Sequence, residues 1–533
     1  MRDVVITGGG PVGMFLACEL RLAGAEPLVL ERRTSPSTVD KAHGFTGQVV
    51  RLLDHRGLYE RCGGDGPPTP APGFFYGALP LELHRLGRHN PMYLLWCHQR
   101  DLEAVLNERA AELGVEVRRG WEVVSATQTD DQVDVTATTD DATSTTLAAR
   151  YLVGCDGGHS VVRKQTGIGF PGIVDDHVVD RAALIGPSKD IKVLPDGRAW
   201  IRGVGEIASQ FHRTERGVFI LAASDPERPF LGTTEWEDRP AGNSPGPGVP
   251  MTMGELEDSV ERVLGVRVTL PVPPADAPTL LRRLCGRNTR LAERYRDRRI
   301  FLAGDAAHVH AASGGPGLNL ALQDAANLAW KLAATVQGWA PDRLLDTYDT
   351  ERHAVGDRVF MQTQAQTALM SPGSSVTALR QLVAEMLDRT ENIQLVADLM
   401  AGTDVRFDMG DNDPGPLVGR FTPPLELTLD TGEHTRLAEL QRDGRPLLVD
   451  LTGDGDLLDA AQPWSDRITL VGAAAAEPPA PALLIRPDGY IAWTGTDTEA
   501  LQEARDRWFG DRHARARGGP ELLHRIPRDR GGP

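Results

Sequence analysis

Residues 1–31, MRDVVITGGGPVGMFLACELRLAGAEPLVLE, decide the fold. Asp3-Val4-Val5-Ile6-Thr7 is an apolar, β-branched run that stops at glycines, the pattern of a short buried strand. Gly8-Gly9-Gly10-Pro11-Val12-Gly13 then turns the chain into a helix whose apolar side carries Val12, Phe15, Leu16 and Leu20. Gly24 ends that helix, and Pro27-Leu28-Val29-Leu30-Glu31 is a second strand closing on an acid. Each glycine has its own task. Gly8 permits the tight turn, Gly10 lets a pyrophosphate approach the backbone, and Gly13 lets helix and strand pack closely. The helix begins at Pro11 and Val12, and its N-terminus offers unpaired N–H groups, from Val12 on, to phosphates. Glu31 stands where a carboxylate accepts from the hydroxyls of an adenosine ribose. A glycine motif alone fits any tight βα turn; strand, turn, helix, strand and terminal acid together predict dinucleotide binding.

A chain of 533 residues exceeds one hydrophobic core, so two to four domains are expected. The net charge of −17 argues against nucleic acid, which needs a basic face. No apolar run approaches a membrane span and the N-terminus enters a strand directly, so a cytoplasmic protein without membrane partners is expected. Cys18, Cys62, Cys97, Cys155 and Cys285 are scattered, with no CxxC and no metal-ligand spacing, which predicts reduced thiols and no metal.

Beyond Glu31 a helix is expected from Gly47 to about Gly57, then a proline-rich break over 67–72. Gly73–His84 is strand-like and unusually aromatic, with Phe74, Phe75 and Tyr76. Gln99 opens an amphipathic helix carrying Leu102, Val105, Leu106 and Ala110 on one side. Alternation over 115–135 predicts an antiparallel meander, ending in a buried strand at Cys155-Asp156-Gly157. Residues 176–280 read as short strands separated by Pro/Gly turns, with a helix near Met253–Leu264. Arg299–Asp305 is a third buried strand that ends on Gly-Asp, followed by Gly314–Asn319 and a long helix. Strands at 446–450, 468–471 and 482–485 and a final helix make a small α/β region.

Three buried strands thus end in glycine plus an acid: Glu31, Asp156 and Asp305. With Ser160 and Arg163 after the second, and His308, Gly317-Leu318-Asn319 and Gln323-Asp324-Ala325 after the third, the chain resembles the single-component flavoprotein aromatic hydroxylases along its whole length. It is most similar to the bacterial enzymes that oxygenate aromatic polyketides, phenols and rifamycins. The resemblance implies an α/β fold with a Rossmann-like FAD-binding domain of the aromatic-hydroxylase type (1–73, 99–175 and 281–400). It also implies an antiparallel β-sheet substrate domain (74–98 and 176–280), a linker (401–424), a thioredoxin-like domain without CxxC (425–510) and a tail (511–533). Arg486-Pro487-Asp488-Gly489-Tyr490 lies in that thioredoxin-like region, which has no thiol and is expected to be a structural or interface module, a homodimer being open.

Site roles follow from the same resemblance. Glu31 and Arg32 would hold the adenosine ribose, Lys41 and Gln99 the diphosphate and ribityl region, and Val123 the adenine. Asp305 would bind the ribityl or pyrophosphate side, and Gly317, Leu318 and Asn319 would offer N–H groups to the isoalloxazine. Asp156 matches a motif credited with contacts to both FAD and NAD(P)H; a plain helix-capping acid is the alternative. His308 reads as a packed loop histidine. The implied cycle is reduction of FAD by NAD(P)H, with NADPH the expected donor, addition of O2 to give a C4a-(hydro)peroxide, and transfer of one oxygen atom to an aromatic polyketide.

The chain departs from the family pattern in two places. Prolines common after His308 are replaced by Ala311-Ala312-Ser313, and Pro316 stands between the glycines. In the early helix, Gln48 and Arg51 occupy positions that often hold Arg and Glu. A pocket-facing Arg51 would favour an anionic peroxide and a developing oxyanion. Together with the altered loop, that tilts the expectation from ring hydroxylation to Baeyer–Villiger oxygenation of a ketone, as in mithramycin-type pathways, with Arg51 catalytic. Phe74, Tyr76, Trp96, Trp200 and Phe219 are expected to line a wide, flat substrate pocket. A halogenase is disfavoured because no Trp-x-Trp-x-Ile-Pro stretch occurs. A dehydrogenase leaves Asp156 and Asp305 unused, and a flavoprotein sequestering an aromatic antibiotic is the non-enzymatic alternative.

Overall fold

The computed structural model describes residues 1–36, 42–194, 198–207, 210–222, 228–237, 249–272, 280–311, 315–411 and 415–511. Arg2–Thr7 is the central strand of the first sheet, flanked in parallel by Pro27–Glu31 and Ser144–Gly154. Glu116–Arg119 and Ile300–Leu302 extend the parallel run on either side. These strands read as unbroken apolar runs because both faces are covered, and Val4, Val5, Ile6, Leu152, Val153 and Phe301 are fully buried. Helix α1 (Pro11–Leu22) packs between α3 (Gln99–Glu112) and α6 (Pro316–Gln337). The meander Trp121–Gln128 and Val133–Thr139 pairs onto the first half of the 144–154 strand.

Register turns three separate motifs into one site. Thr7 pairs with Leu30 and with Gly154, and Gly154 pairs with Leu302. The parallel strands therefore end level, and Gly8, Glu31, Asp156 and Gly304 emerge in one row at their carboxyl ends, where α/β sheets bind ligands. A Cβ at Gly13 would lie 2.0 Å from the Gly8 carbonyl oxygen, so the close helix–strand approach requires glycine there.

The second sheet is antiparallel, in the order Gln210–Thr214, Gly217–Ala222, Phe230–Trp236, Gly172–Leu184, Leu281–Leu291, His308–Val309. Residues 281–291 thus belong to this sheet, not to the FAD-binding unit as expected. They pair with 172–175 and, past a bulge, with 179–183, a partner invisible to local periodicity. Helix α5 (Met253–Leu264) covers one face, where Leu256, Val260 and Val263 pack with Phe219, Leu221 and Leu231.

The C-terminal unit is a six-stranded mixed sheet containing one parallel pair, Leu447–Asp450 with Thr469–Ala474, and it closes with helix Thr498–Phe509. The stretch expected to be a linker is packed instead. Phe407, Met409, Val418 and Phe421 are buried, and Phe421 bridges to Tyr490. Among the described residues no helix is long and apolar enough to cross a membrane.

Candidate functional site

A cleft of about 580 Å³ opens along the row of strand ends. Gly8, Gly10, Pro11, Val12, Glu31, Arg32, Gln99 and Val123 line one part of it, and Asp156, Asp305, Gly317 and Leu318 line the rest. Gly13 sits behind the wall, against Gly8 and Ile6. Lys41 lies outside the described residues. Residues as far apart in the chain as Gly8 and Leu318 meet here because α6, which carries Leu318, packs on α1 and on the Gly304–Ala306 turn that follows the Ile300–Leu302 strand of the parallel sheet.

Several polar groups are held ready. Glu31 accepts from the Gly9 N–H at 2.6 Å and the Arg33 N–H at 2.9 Å, which fixes its carboxylate at the cleft edge. Asp156 does two things. Its Oδ2 caps helix α4 (Val161–Gln165), accepting from the N–H groups of Val161 at 2.7 Å and Val162 at 3.3 Å. Its Oδ1 is buried with no partner, as are the Thr7 hydroxyl and both ring nitrogens of His310. Native proteins satisfy nearly all buried polar atoms, so orphans clustered along one cleft indicate a polar ligand. Cβ atoms added at Gly10, Gly315 or Gly317 would meet nothing within 4 Å, so the backbone there is open to close approach. A long molecule with hydroxyls and phosphates fits this surface, and FAD meets the description.

The first turn of α6 forms the far end. Gly315 has φ of +67°, and Pro316 at the first helical position contributes no N–H. The unpaired N–H groups of Gly317 and Leu318, at the positive end of the helix dipole, are left to face the cleft. The Asn319 side chain turns the other way. Its Oδ1 accepts from the Thr46 N–H at 3.3 Å, and its Nδ2 donates to the Thr46 hydroxyl at 2.9 Å and to the Gly315 carbonyl at 3.0 Å.

Behind the Gly304–Asp305 turn, Asp324 is wholly buried and pairs with His308 Nε2 at 2.7 Å, Arg352 Nε at 2.8 Å and the Gly304 N–H at 3.3 Å. Burial raises the Asp324 pKa, but Arg352 and His308 outweigh it and hold the carboxyl below its usual value. His308 is therefore a packed structural histidine that positions the turn carrying Asp305. Among the cleft residues that sequence reasoning missed is His310, two positions on. Burial, and then the neighbouring His308, push its pKa down to about 3, so its ring is neutral at working pH. The one signal for it is the His-x-His spacing.

Arg51 does not line the cleft. It projects from helix α2 (Gln48–Asp54), donates to the Thr422 carbonyl, and lies 5.7 Å from the Tyr93 ring centroid and 5.2 Å from that of Phe421. The whole helix faces the C-terminal unit: Asp54 pairs with Arg436 at 2.6 Å and Gln48 Oε1 accepts from the Tyr490 hydroxyl at 3.4 Å. The expectation that Arg51 is a pocket cation is corrected on that ground.

The five expected pocket aromatics are dispersed rather than gathered on one wall. Phe219 is fully buried beneath α5, because strand alternation sends it to the face opposite its neighbour Ile220. Trp200 sits in a separate three-stranded sheet near Lys192, and Trp96 is 57% exposed. Tyr76 packs into a cluster with Leu369, Leu387 and Ile393. Phe74 alone of the five joins an aromatic cluster: its ring stacks on Phe75 at 4.4 Å between centroids, and Phe75 lies tilted against Phe211 at 4.5 Å.

Comparison with known proteins decides the family. Residues 1–363 match the FAD binding domain model, and 415–511 match that of the aromatic-ring hydroxylase C-terminal region. The chain belongs to the FAD-dependent aromatic-ring hydroxylase family. It is 39% identical over 519 residues to a 12-dehydrotetracycline 5-monooxygenase/anhydrotetracycline 6-monooxygenase of Streptomyces rimosus, covering 95% of this chain and 99% of that one. It is 38% identical to a rifampicin monooxygenase of Streptomyces venezuelae, covering 96% and 99%. The solved structure of the OxyS anhydrotetracycline hydroxylase from Streptomyces rimosus superposes with a TM-score of 0.81 at 37% identity, covering 96% and 100%. Within this hydroxylase family the chain is a flavin-dependent monooxygenase, and the α/β architecture expected from its motifs is the one the fold displays.

Proposed function

We propose that the protein uses NAD(P)H and O2, with bound FAD, to hydroxylate a polycyclic aromatic polyketide. The observation that carries this reading is similarity along almost the whole chain to an anhydrotetracycline 6-monooxygenase, C-terminal unit included. Bound FAD would supply hydride acceptance and oxygen activation. This chain's residues bind and orient it. Glu31 and Arg32 would hold the adenosine ribose, Asp156 and Asp305 the middle of the molecule, and the Gly317 and Leu318 N–H groups would face negative charge developing on the ring system. Phe74 stacked on Phe75, with Phe211 tilted against Phe75, makes an apolar surface suited to a flat substrate.

Baeyer–Villiger oxygenation is the second reading. The sequence argument for it rests on the altered loop after His308 and on Arg51, and Arg51 is committed to Thr422, so ring hydroxylation is preferred. The deciding experiment supplies the holoenzyme with NADPH or NADH, 18O2 and a panel of polycyclic phenols and ketones, and reads products by mass spectrometry. One added oxygen on an intact ring skeleton supports hydroxylation. One added oxygen with ring expansion or opening restores the Baeyer–Villiger reading. No product and no ligand-stimulated NAD(P)H oxidation overturns both and favours sequestration.

A further inference from the structure

The Arg486–Tyr490 turn joins two neighbouring antiparallel strands, Ala482–Ile485 and Ile491–Thr494, of the C-terminal unit. Such turns normally lie at the surface. Here every residue of it is buried, including Arg486 and Asp488. Arg486 is bidentate to Glu351 of helix α7 (Asp346–Met370), at 2.7 and 2.8 Å, and also pairs with Asp488. Glu351 and Asp488 each accept from Asn327 of α6, at 2.7 and 2.8 Å, and Glu351 accepts from Lys331 of α6 at 2.8 Å. Rings of Trp330, Phe407, Tyr490 and Trp508 surround the guanidinium, with centroids 4.6–5.9 Å away. On the other side of the turn, the Pro487 carbonyl accepts from Arg56 at 2.6 Å and the Tyr490 hydroxyl donates to Gln48 of α2.

The turn is thus inserted between α2 and the α6–α7 pair. Those elements converge again just behind the cleft wall formed by the first turn of α6, where Thr46, two residues before α2, is clasped by Asn319. A second set of bonds carries α7 to the same place. Arg352, adjacent to Glu351, donates to the Leu320 carbonyl at 3.2 Å and pairs with Asp324. Asn327 lies ten residues along α6 from Gly317, roughly 15 Å at the rise of a helix. A buried ionic cluster adds little net stability over an apolar one of equal volume, whereas its directional bonds fix relative position.

We propose that the Arg486–Tyr490 turn is a positioning element of the flavin site, setting the spacing between α2 and α6 so that the Thr46–Asn319 clasp, behind the cleft, holds the first turn of α6 where its N–H groups meet FAD. This rests on FAD binding and not on the substrate reading above.

The test uses two full-chain variants. Arg486→Met with Glu351→Gln removes one charge of each sign, leaving Lys331 opposite Asp488. Tyr490→Phe removes only the hydroxyl bonded to Gln48. FAD affinity of the apoprotein is read by fluorescence titration, alongside thermal melting and hydrogen exchange of residues 44–48 and 316–320. The double variant is expected to bind FAD about tenfold more weakly, a loss of about 1.4 kcal/mol, with faster exchange in both segments. Tyr490→Phe should weaken binding about two- to threefold and loosen 44–48, with an unchanged melting temperature. Affinity and exchange at parental values in both variants overturn the proposal, even if melting falls. Should the double variant not fold, parental affinity and exchange in Tyr490→Phe overturn it equally. A parent apoprotein that binds no FAD would instead refute the cofactor assignment, a separate outcome.

Discussion

The cleft at the strand ends and the seam around Arg486 are both polar regions inside an apolar frame, finished to opposite degrees. In the cleft, the Thr7 hydroxyl, Asp156 Oδ1 and both His310 nitrogens have no partner. In the seam, Lys331, Glu351, Arg486 and Asp488 bind one another and Asn327 through their charged atoms. The difference separates two uses of buried polarity. A group left unsatisfied at a strand end is completed by a ligand, so cutting it costs binding. A group satisfied within the chain holds elements in place, so cutting it costs stability first.

The largest effect should come from halving the seam. Arg486→Met leaves Glu351 and Asp488 facing only Lys331, and should destabilise the apoprotein by about 3–5 kcal/mol in urea unfolding. A loss under about 1 kcal/mol would mean the seam is not a satisfied ionic unit. Next comes acid. Burial raises the Glu351 pKa, but Arg486 and Lys331 dominate and bring it down to about 2. Its folded value is therefore below its unfolded one, so its contribution is present at neutral pH and is lost as pH falls through the unfolded carboxylate range toward 2. Between pH 6 and pH 3 the parent should lose about 1–2 kcal/mol more stability in urea unfolding than the Arg486→Met, Glu351→Gln double variant, which lacks that carboxylate. Equal losses in the two proteins would remove Glu351 from the acid response. The smallest change belongs to the cleft: His310→Phe should alter apoprotein stability by less than about 0.5 kcal/mol while weakening FAD binding. Loss of stability equal to the loss of binding would erase the distinction drawn between the two regions.

What could be read from the chain alone follows from distance along it. Gly8–Glu31 carries strand, turn, helix and acid in one local stretch, and Asp156 and Asp305 each close their own apolar strand, so the parallel sheet and its row of acids were legible. Arg51 was misread because its partner, Thr422, is 371 residues downstream, and nothing near Gln48–Asp54 signals which side faces the C-terminal unit. Phe219 was misread because assigning a strand does not assign its faces, and a shift of one residue exchanges core for pocket. The seam did leave a trace: Arg486 and Asp488 interrupt the apolar run ALLIRPDGYIAW, where charges survive burial only when paired. His310 left a weaker one, since its isolation from any partner is a fact of three dimensions.

The position of the Arg486–Tyr490 turn also orders events during synthesis. Asp488 is made 137 residues after Glu351, a delay of about 7–27 s at ordinary elongation rates of 5–20 residues per second. Until then the parallel sheet and its glycine turn can form, but α6 and α7 hold Lys331 and Glu351 without their C-terminal counter-charges. The strand ends around Gly8 and Glu31 are thus complete before residues 486–490 exist, whereas the seam that ties α6 and α7 to the C-terminal unit is not. If the turn positions the flavin site as proposed, capture of the cofactor's ring system would follow synthesis of residues 486–490, whereas the adenosine end would be free to engage before them.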